Sequence, residues 1–139
     1  MPHNSITRLR LRSIFTLTAF ARAARESSAQ AKQTPGFVEG AILAEGRLVF
    51  WTRTVWQSAE AMQAFRDSGA HRTVMPKLLT WCDEASVAQW DGPPTHDWDE
   101  IYARMIAEGR ASRVKRPSKA HQQKRYAKMW RWSPEQKIG

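Results

Sequence analysis

The strongest restriction on the fold comes from residues 37–56, where two strand-like apolar stretches are separated by one short turn. Phe37 to Glu45 predicts one strand and Arg47 to Trp56 predicts the next, joined across Glu45-Gly46. A connection this short returns the chain antiparallel, so the pair is predicted to be a β-hairpin. Large apolar side chains alternate on both faces of the second strand, which indicates a central strand covered on both sides.

The residues before the hairpin predict a strand and then a helix. Residues 5–13 alternate, with Leu9 and Leu11 on one face and Arg8, Arg10 and Arg12 on the other, which is the pattern of a strand with one solvated face. Residues 17–33 place apolar side chains at helical spacing, and Pro35-Gly36 then ends the helix.

The residues after the hairpin predict two helical stretches and then a strand. Ser58 is a suitable N-cap for a helix that places Met62 and Phe65 inward. Gly69 interrupts it, a second helical stretch runs from Ala70 to about Cys82, and residues 85–90 predict a fourth strand. The whole order is β-α-β-β-α-β, which predicts an α+β, ferredoxin-like domain with one antiparallel sheet. Helices on one face leave the other uncovered, so the pattern predicts a homodimer.

The charge divides the chain into two predicted units. Residues 1–109 carry 12 basic and 12 acidic side chains, and include an amphipathic helix from Asp97 to Glu108 that should dock on the domain. Residues 110–139 carry ten basic residues and one acid, so the whole net charge of +9 belongs to them. We therefore expect a domain over 1–109 and a basic C-terminal tail over 110–139.

The tail has two interpretations. It is either a solubilising, partly disordered segment or a weak binder of anionic surfaces such as lipid or a phosphate backbone. A helix starting at Pro117-Ser118 would place Lys124, Arg125, Lys128 and Arg131 apart from Tyr126, Met129 and Trp130.

Cysteine usage and missing motifs exclude several classes of protein. A lone cysteine, Cys82, excludes an intramolecular disulfide and a thiolate zinc cage within one chain, and it fits a reducing, cytoplasmic location. The sequence has no glycine-rich phosphate loop and no His/carboxylate cluster at metal-ligand spacing, so neither a nucleotide nor a metal site is predicted. As a nucleophile, Cys82 lacks an activating base nearby in sequence; buried packing is the better hypothesis.

Several stretches together resemble a bacterial branch of the antibiotic-biosynthesis-monooxygenase-like, dimeric α/β-barrel superfamily, with haem-dependent spheroidene monooxygenase as a distant relative. The stretches are Phe50 to Trp56, Ala61 to Phe65, Ser68 to Arg72, Met75 to Leu78 and Trp81 to Ser86. The resemblance covers about residues 5–90. It implies that two subunits pair sheet to sheet, and that a cavity between sheet and helices holds an apolar or aromatic molecule in the enzymatic members.

His71 is the one imidazole within the predicted elements of the fold. It follows Gly69-Ala70 and shares a helical stripe with Met75 and Leu78, so it should point toward the sheet. An imidazole titrates near neutrality and ligates metals when neutral, so His71 is a candidate proton shuttle or haem ligand. The alternative is that it caps the break between the two helical stretches.

Four apolar side chains are candidates for a ligand pocket: Trp51, Trp56, Phe65 and Met75. The alternative is that all four belong to an ordinary core. Trp51 and Trp56 fall on opposite strand faces, so only one can face the cavity, and the other is predicted to face a dimer partner. Arg53 requires a partner if buried, either a carboxylate such as Glu39 or a substrate anion.

The sequence is compatible with three functions. The first is a small-molecule monooxygenase-type enzyme with His71 as its polar group; cofactor-independent members of the superfamily use the substrate's own electrons. The second is a non-catalytic carrier, with haem as one candidate ligand held through His71. The third is a binding protein that acts through its tail, with the domain serving for dimerisation.

Overall fold

The computed structural model of the chain describes residues 1–46, 48–123 and 135–138. The element order is β-α-β-β-α-α-β-α, followed by two short strands with a short helix between them. The strands are β1 (His3–Leu11), β2 (Phe37–Glu45), β3 (Val49–Trp56), β4 (Cys82–Asp91), β5 (Arg110–Ala111) and β6 (Gln136–Ile138). The helices are α1 (Leu17–Gln33), α2 (Ala59–Arg66), α3 (Gly69–Trp81), α4 (Trp98–Glu108) and α5 (Lys119–Gln122).

All six strands form one antiparallel sheet in the order β5-β4-β1-β3-β2-β6. The four inner strands have the ferredoxin-like order, so the predicted fold class is confirmed. The strand that follows α3 is longer than predicted, because it begins at Cys82, a fully buried residue that the helical stripe had assigned to α3.

Local signals in the sequence set the helix boundaries. The Ser58 hydroxyl accepts a hydrogen bond from the Ala61 amide and caps α2, and the Asp97 carboxylate does the same for α4 through the Asp99 amide. Between α2 and α3, Gly69 has a φ of +61°, a left-handed conformation that glycine adopts without steric cost. None of the helices in the described residues is long and apolar enough to cross a membrane.

The prediction that one face of the sheet carries no helix is wrong. Helices α1, α2 and α3 cover one face, and α4 packs on the other, where Ile101 and Met105 are fully buried against Ile6 and Trp51. Trp51 and Trp56 are both fully buried within a single chain, so neither is exposed for a dimer partner. Amphipathicity predicted that α4 docks on the domain, but the sequence did not indicate which face it would cover.

Residues 110–118, which the sequence assigned to the basic tail, hydrogen-bond to the domain. The Ser112 amide donates to the Ala85 carbonyl, the Lys115 amide to Leu79 and the Ser118 amide to Asp83. Strand β5 pairs with β4 at one edge of the sheet, and β6 pairs with β2 at the other. The predicted helix that would carry Lys124 to Arg131 lies outside the described residues.

Candidate functional site

A cavity of about 250 Å³ lies between the sheet and helices α1, α2 and α3. Its helical wall includes Ala23, Ala24, Ser27, Ser28 and Ala31 of α1. Because these side chains are small, the helix cannot fill the space above the sheet. Pockets for small organic ligands usually measure about 300–1,000 Å³, so this one suits a compact molecule.

The sheet side of the cavity carries a floor of four hydroxyl groups. Ser5 pairs with Thr54 and Thr7 pairs with Thr52 across β1 and β3, and all four side chains line the cavity. Directly paired residues project to the same face of a sheet, so the register brings the four hydroxyls together. Gln89, which pairs with Ser5 from β4, extends this polar floor.

His71 lines the cavity from the start of α3. Its Nδ1 lies 3.2 Å from the Arg66 carbonyl oxygen, which can only accept, so Nδ1 carries the proton of the neutral ring. Its Nε2 is then the basic nitrogen, and no described residue hydrogen-bonds to it. Burial lowers the pKa of His71, which favours the neutral imidazole at pH 7.

Gln30 of α1 holds the start of α3 in place. Its side-chain amide donates to the Phe65 and Ser68 carbonyls, and its oxygen accepts from the His71 amide at 2.8 Å. The Phe65 ring packs on the imidazole with centroids 4.6 Å apart. His71 therefore forms hydrogen bonds at the break between α2 and α3, which was the alternative to a functional role, and it also faces the cavity.

The charged groups of the lining are all basic. Arg66 and Arg110 line the cavity together with His71, and the described lining includes no Asp or Glu. Arg66 is paired with Asp67 on the surface. A lining of this kind favours a neutral ligand or one that carries a negative charge.

The cavity lining includes some of the predicted ligand-binding residues and not others. Phe65 and Met75 line it, whereas Trp56 packs beside it against Phe65 and Met62. Trp51 and Arg53 lie on the opposite face of the sheet, because odd positions of β3 point away from the helices. Their placement corrects the expectation that both contact the cavity.

On that opposite face, both residues have partners in the same chain. The Trp51 indole donates to Glu45 at 3.1 Å, and the Arg53 guanidinium pairs with Glu39 at 2.6 Å. The predicted partner of Arg53 is therefore confirmed.

Cys82 shows no feature of a reactive thiol. Cys82 is buried, which raises the pKa of its thiol to about 12, so the thiol stays protonated near neutral pH. Among the described residues, no group of three or more His, Cys, Asp or Glu side chains is placed to hold a metal ion.

The sequence patterns did not predict the hydroxyl floor or three lining residues beyond Gly109. A signal for the floor was present, because Thr52 and Thr54 share a face of the predicted central strand where apolar residues would be expected. Arg110, Ser112 and Ile138 also line the cavity. They fall in the segment predicted to be a separate tail, and no local pattern connects them to the sheet.

Residues 16–77 match the family described as antibiotic biosynthesis monooxygenase. No curated protein matches the sequence significantly. Three solved structures illustrate the shared fold. A mutant form of SnoaB from Streptomyces nogalater, a cofactor-independent oxygenase, is 14% identical, with 68% of this chain and 96% of that chain covered and a TM-score of 0.58.

The second solved structure is a protein from Nitrosomonas europaea named for the antibiotic biosynthesis monooxygenases. It is 18% identical, with 66% of this chain and 89% of that chain covered and a TM-score of 0.59. A conserved protein from Methanosarcina mazei is 9% identical, with coverages of 67% and 94% and a TM-score of 0.60. Residues 16–77 are thus similar in sequence to the antibiotic biosynthesis monooxygenases, and the chain shares its fold with these solved structures.

Proposed function

We propose that the protein is a small-molecule monooxygenase-type enzyme whose compact apolar or aromatic substrate binds between the sheet and the helices. One observation carries this proposal: the cavity joins apolar walls to a hydroxyl floor and a neutral imidazole with its Nε2 unbonded among the described residues. Apolar walls with a few convergent polar groups are typical of substrate pockets. The similarity to SnoaB, a cofactor-independent oxygenase, supports a reaction without a bound cofactor.

The proposed reaction oxidises an acidic methylene group of the substrate to a carbonyl. His71 Nε2 accepts a proton from this carbon, and the hydroxyls of Thr52 and Thr7 donate to the oxygen on which the negative charge of the carbanion is delocalised. The carbanion then transfers electrons to dioxygen. The methylene group and dioxygen together give a carbonyl group and a water molecule: both C–H bonds and the O–O bond break, one oxygen atom bonds to the carbon, and the other leaves as water with both protons. The substrate supplies all the electrons, so no external reductant is required.

Oxygen uptake with 2-tetralone tests the proposal, because this two-ring ketone has a methylene group made acidic by both its carbonyl and its aromatic ring. We expect uptake above the buffer rate without added reductant. His71→Gln should lower kcat by about 10²-fold or more, the usual contribution of a general base. Lys77→Ala, on the exposed side of α3, is the matched control. Uptake no faster than in buffer, or an unchanged rate in His71→Gln, would contradict the assignment.

A haem carrier is the second candidate, because the unbonded Nε2 of His71 could also ligate iron. The cavity is small for a whole tetrapyrrole, so the described residues fit this group less well. Titration with hemin decides between the two. A Soret band that forms with the wild type and is lost in His71→Ala would favour the carrier, whereas no specific band would exclude it.

We also propose that the protein is a homodimer, as the resemblance implies, and that it is located in the cytoplasm, which the lone cysteine favours. Because α4 covers the second face of the sheet, the interface would differ from the bare sheet-to-sheet contact expected from the sequence. Analytical ultracentrifugation of the full chain at tens of micromolar tests the assembly, and a strict monomer would contradict it.

Weak binding to anionic surfaces through residues 110–139 is a further proposal. Arg113, Lys115 and Arg116 are exposed, and all three follow β5 within five residues of the sequence. Replacing all three with glutamine should weaken binding to phosphatidylserine vesicles or to a short DNA duplex. The wild-type affinity should also fall as salt is added, because neutralised phosphates release counterions. Equal binding by the triple variant would exclude these three side chains.

A further inference from the structure

Strand β6 contributes one side chain, Ile138, to the wall of the cavity. It lies well outside residues 16–77, the segment that matches the family. The three structures described above are covered over 89–96% of their own lengths but cover only 66–68% of this chain. The chain therefore has a part beyond the shared fold, and Ile138 is where strand β6 reaches the proposed site.

The register of β6 determines where its side chains point. Ile138 pairs with Gly40, Lys137 with Ala41 and Gln136 with Ile42. Ile42 lines the cavity, and Gly40 lies two positions before it on β2, so Gly40 faces the cavity side of the sheet. Ile138 is paired with Gly40 and therefore projects to the same side. Lys137 projects to the opposite face. Ile138 is only 7% exposed, as expected for a side chain enclosed between the sheet and α1.

Gly40 provides the space that Ile138 occupies. A Cβ atom at position 40 would lie 3.2 Å from Ile138 Cδ1 and 3.0 Å from the Arg53 carbonyl oxygen, both closer than ordinary contact. Gly40 has no positive φ, so close approach and not backbone conformation explains the glycine. The two residues form one complementary contact at the β2 edge of the cavity.

The position of β6 is fixed by a contact on the other side of the sheet. Glu135, which immediately precedes β6, accepts a hydrogen bond from the Trp98 indole at the start of α4 at 3.0 Å. The strand is therefore held by its ladder with β2 and by this bond. Ile138 consequently forms a fixed boundary of the cavity.

We propose that Ile138 is a specificity-determining residue that limits how far the ligand extends across the sheet toward β6. The inference rests on the proposed function, since it requires a ligand in this cavity. Shortening the side chain extends the cavity toward β6, and enlarging it reduces the space for any ligand.

Binding of two flat carboxylates to the full chain tests the proposal. 2-Naphthoate and anthracene-2-carboxylate differ by one fused ring, and the basic lining suits their charge. Calorimetric titration gives the ratio of their dissociation constants. Ile138→Ala should shift this ratio toward the longer probe by about tenfold or more, the effect expected for a difference of a few carbon atoms in an apolar pocket. Ile138→Trp should shift it in the opposite direction.

Lys137→Ala is the matched control, because it changes the same strand on the opposite face and should leave the ratio unchanged. If Ile138→Ala proves unfolded in a thermal melt, Ile138→Trp and Ile138→Val still test the ratio with the apolar contact retained. Binding of both probes with the same ratio in every variant would overturn the inference alone. If the wild type binds neither probe, the proposed ligand site fails and the inference with it.

Discussion

The two faces of the sheet carry residues from the same strands, but they differ in how completely their space is filled. On the α4 face, Ile6, Trp51, Ile101 and Met105 pack together with almost no exposed area. On the opposite face, small side chains of α1 face a row of hydroxyls and leave a cavity. Alternate residues of one strand thus serve two different purposes.

The two faces also differ in how their charged side chains are paired. Arg8 and Arg10 bond the Glu84 carboxylate at 2.9 Å on the α4 face, and Arg53 bonds Glu39 there. On the cavity face, the lining in the described part of the chain includes no Asp or Glu, and Arg66 is paired with Asp67 on the surface. We infer that the α4 face stabilises the fold and that the cavity face is open to a ligand.

The largest effect should come from Ile101→Ala on the α4 face. Ile101 is fully buried, so its truncation should cost about 3 kcal/mol of unfolding free energy. Ile106→Ala on the same helix is the control, because Ile106 is half exposed and should cost under about 1 kcal/mol. Urea denaturation measures both. Equal losses would show that α4 does not pack as described.

Glu84→Gln should have the next largest effect. Although burial raises the pKa of Glu84, the hydrogen bonds and charges of Arg10 and Arg8 outweigh it and lower the pKa below its ordinary value of 4.5. The loss of a buried charge that pairs two arginines should cost about 2 kcal/mol at pH 7.

The lowered pKa of Glu84 also predicts a pH dependence. Its contribution to stability should be present above pH 4.5 and be lost as the pH falls through its folded-state pKa. The difference between wild type and Glu84→Gln should therefore shrink in acid. A difference that does not depend on pH would contradict the ion pair.

A smaller effect, on binding and not on stability, is expected for Thr52→Val on the cavity face. The variant keeps the shape of the side chain and removes one hydroxyl from the floor. Unfolding free energy should change by less than about 1 kcal/mol, while affinity for 2-tetralone should fall about fivefold, the worth of one neutral hydrogen bond. Ile101→Ala should do the opposite: it should lower the free energy of unfolding, and the folded fraction should keep its affinity for 2-tetralone. Unchanged affinity in Thr52→Val would remove this hydroxyl from the proposed site.

The smallest effect is the pH dependence of His71. Because burial lowers its pKa below 6.5, the neutral imidazole required of a base should predominate at pH 7. Oxygen uptake should be flat above pH 7 and fall with a midpoint below pH 6.5. The free energy of unfolding should also be greater above pH 6.5 than in acid. The reason is that the unfolded chain, in which His71 is not buried, binds the proton more readily. A midpoint at or above 6.5 by NMR titration would contradict the burial of this ring.

The sequence predicted the inner fold because its signals are local. The alternation around Glu45-Gly46, the N-cap at Ser58 and the break at Gly69 each act within a few residues, and the structure confirms all three. The helical stripe with Met75 and Leu78 also placed His71 toward the sheet, and all three residues line the cavity. The distant relationship to spheroidene monooxygenase stays a prediction.

What the sequence determined by itself is therefore the order of the elements from β1 to α4 and the face on which most of their residues lie, since local signals and the helical and strand periods act within each element. Only the tertiary structure decided which face of the sheet bears the cavity, and that α4, β5 and β6 close the domain. These outcomes depend on contacts between residues far apart in the chain, such as Gly40 with Ile138 and Trp51 with the α4 cluster. No periodicity within a single element encodes such pairs. The free energy of packing selects them when the chain closes on itself.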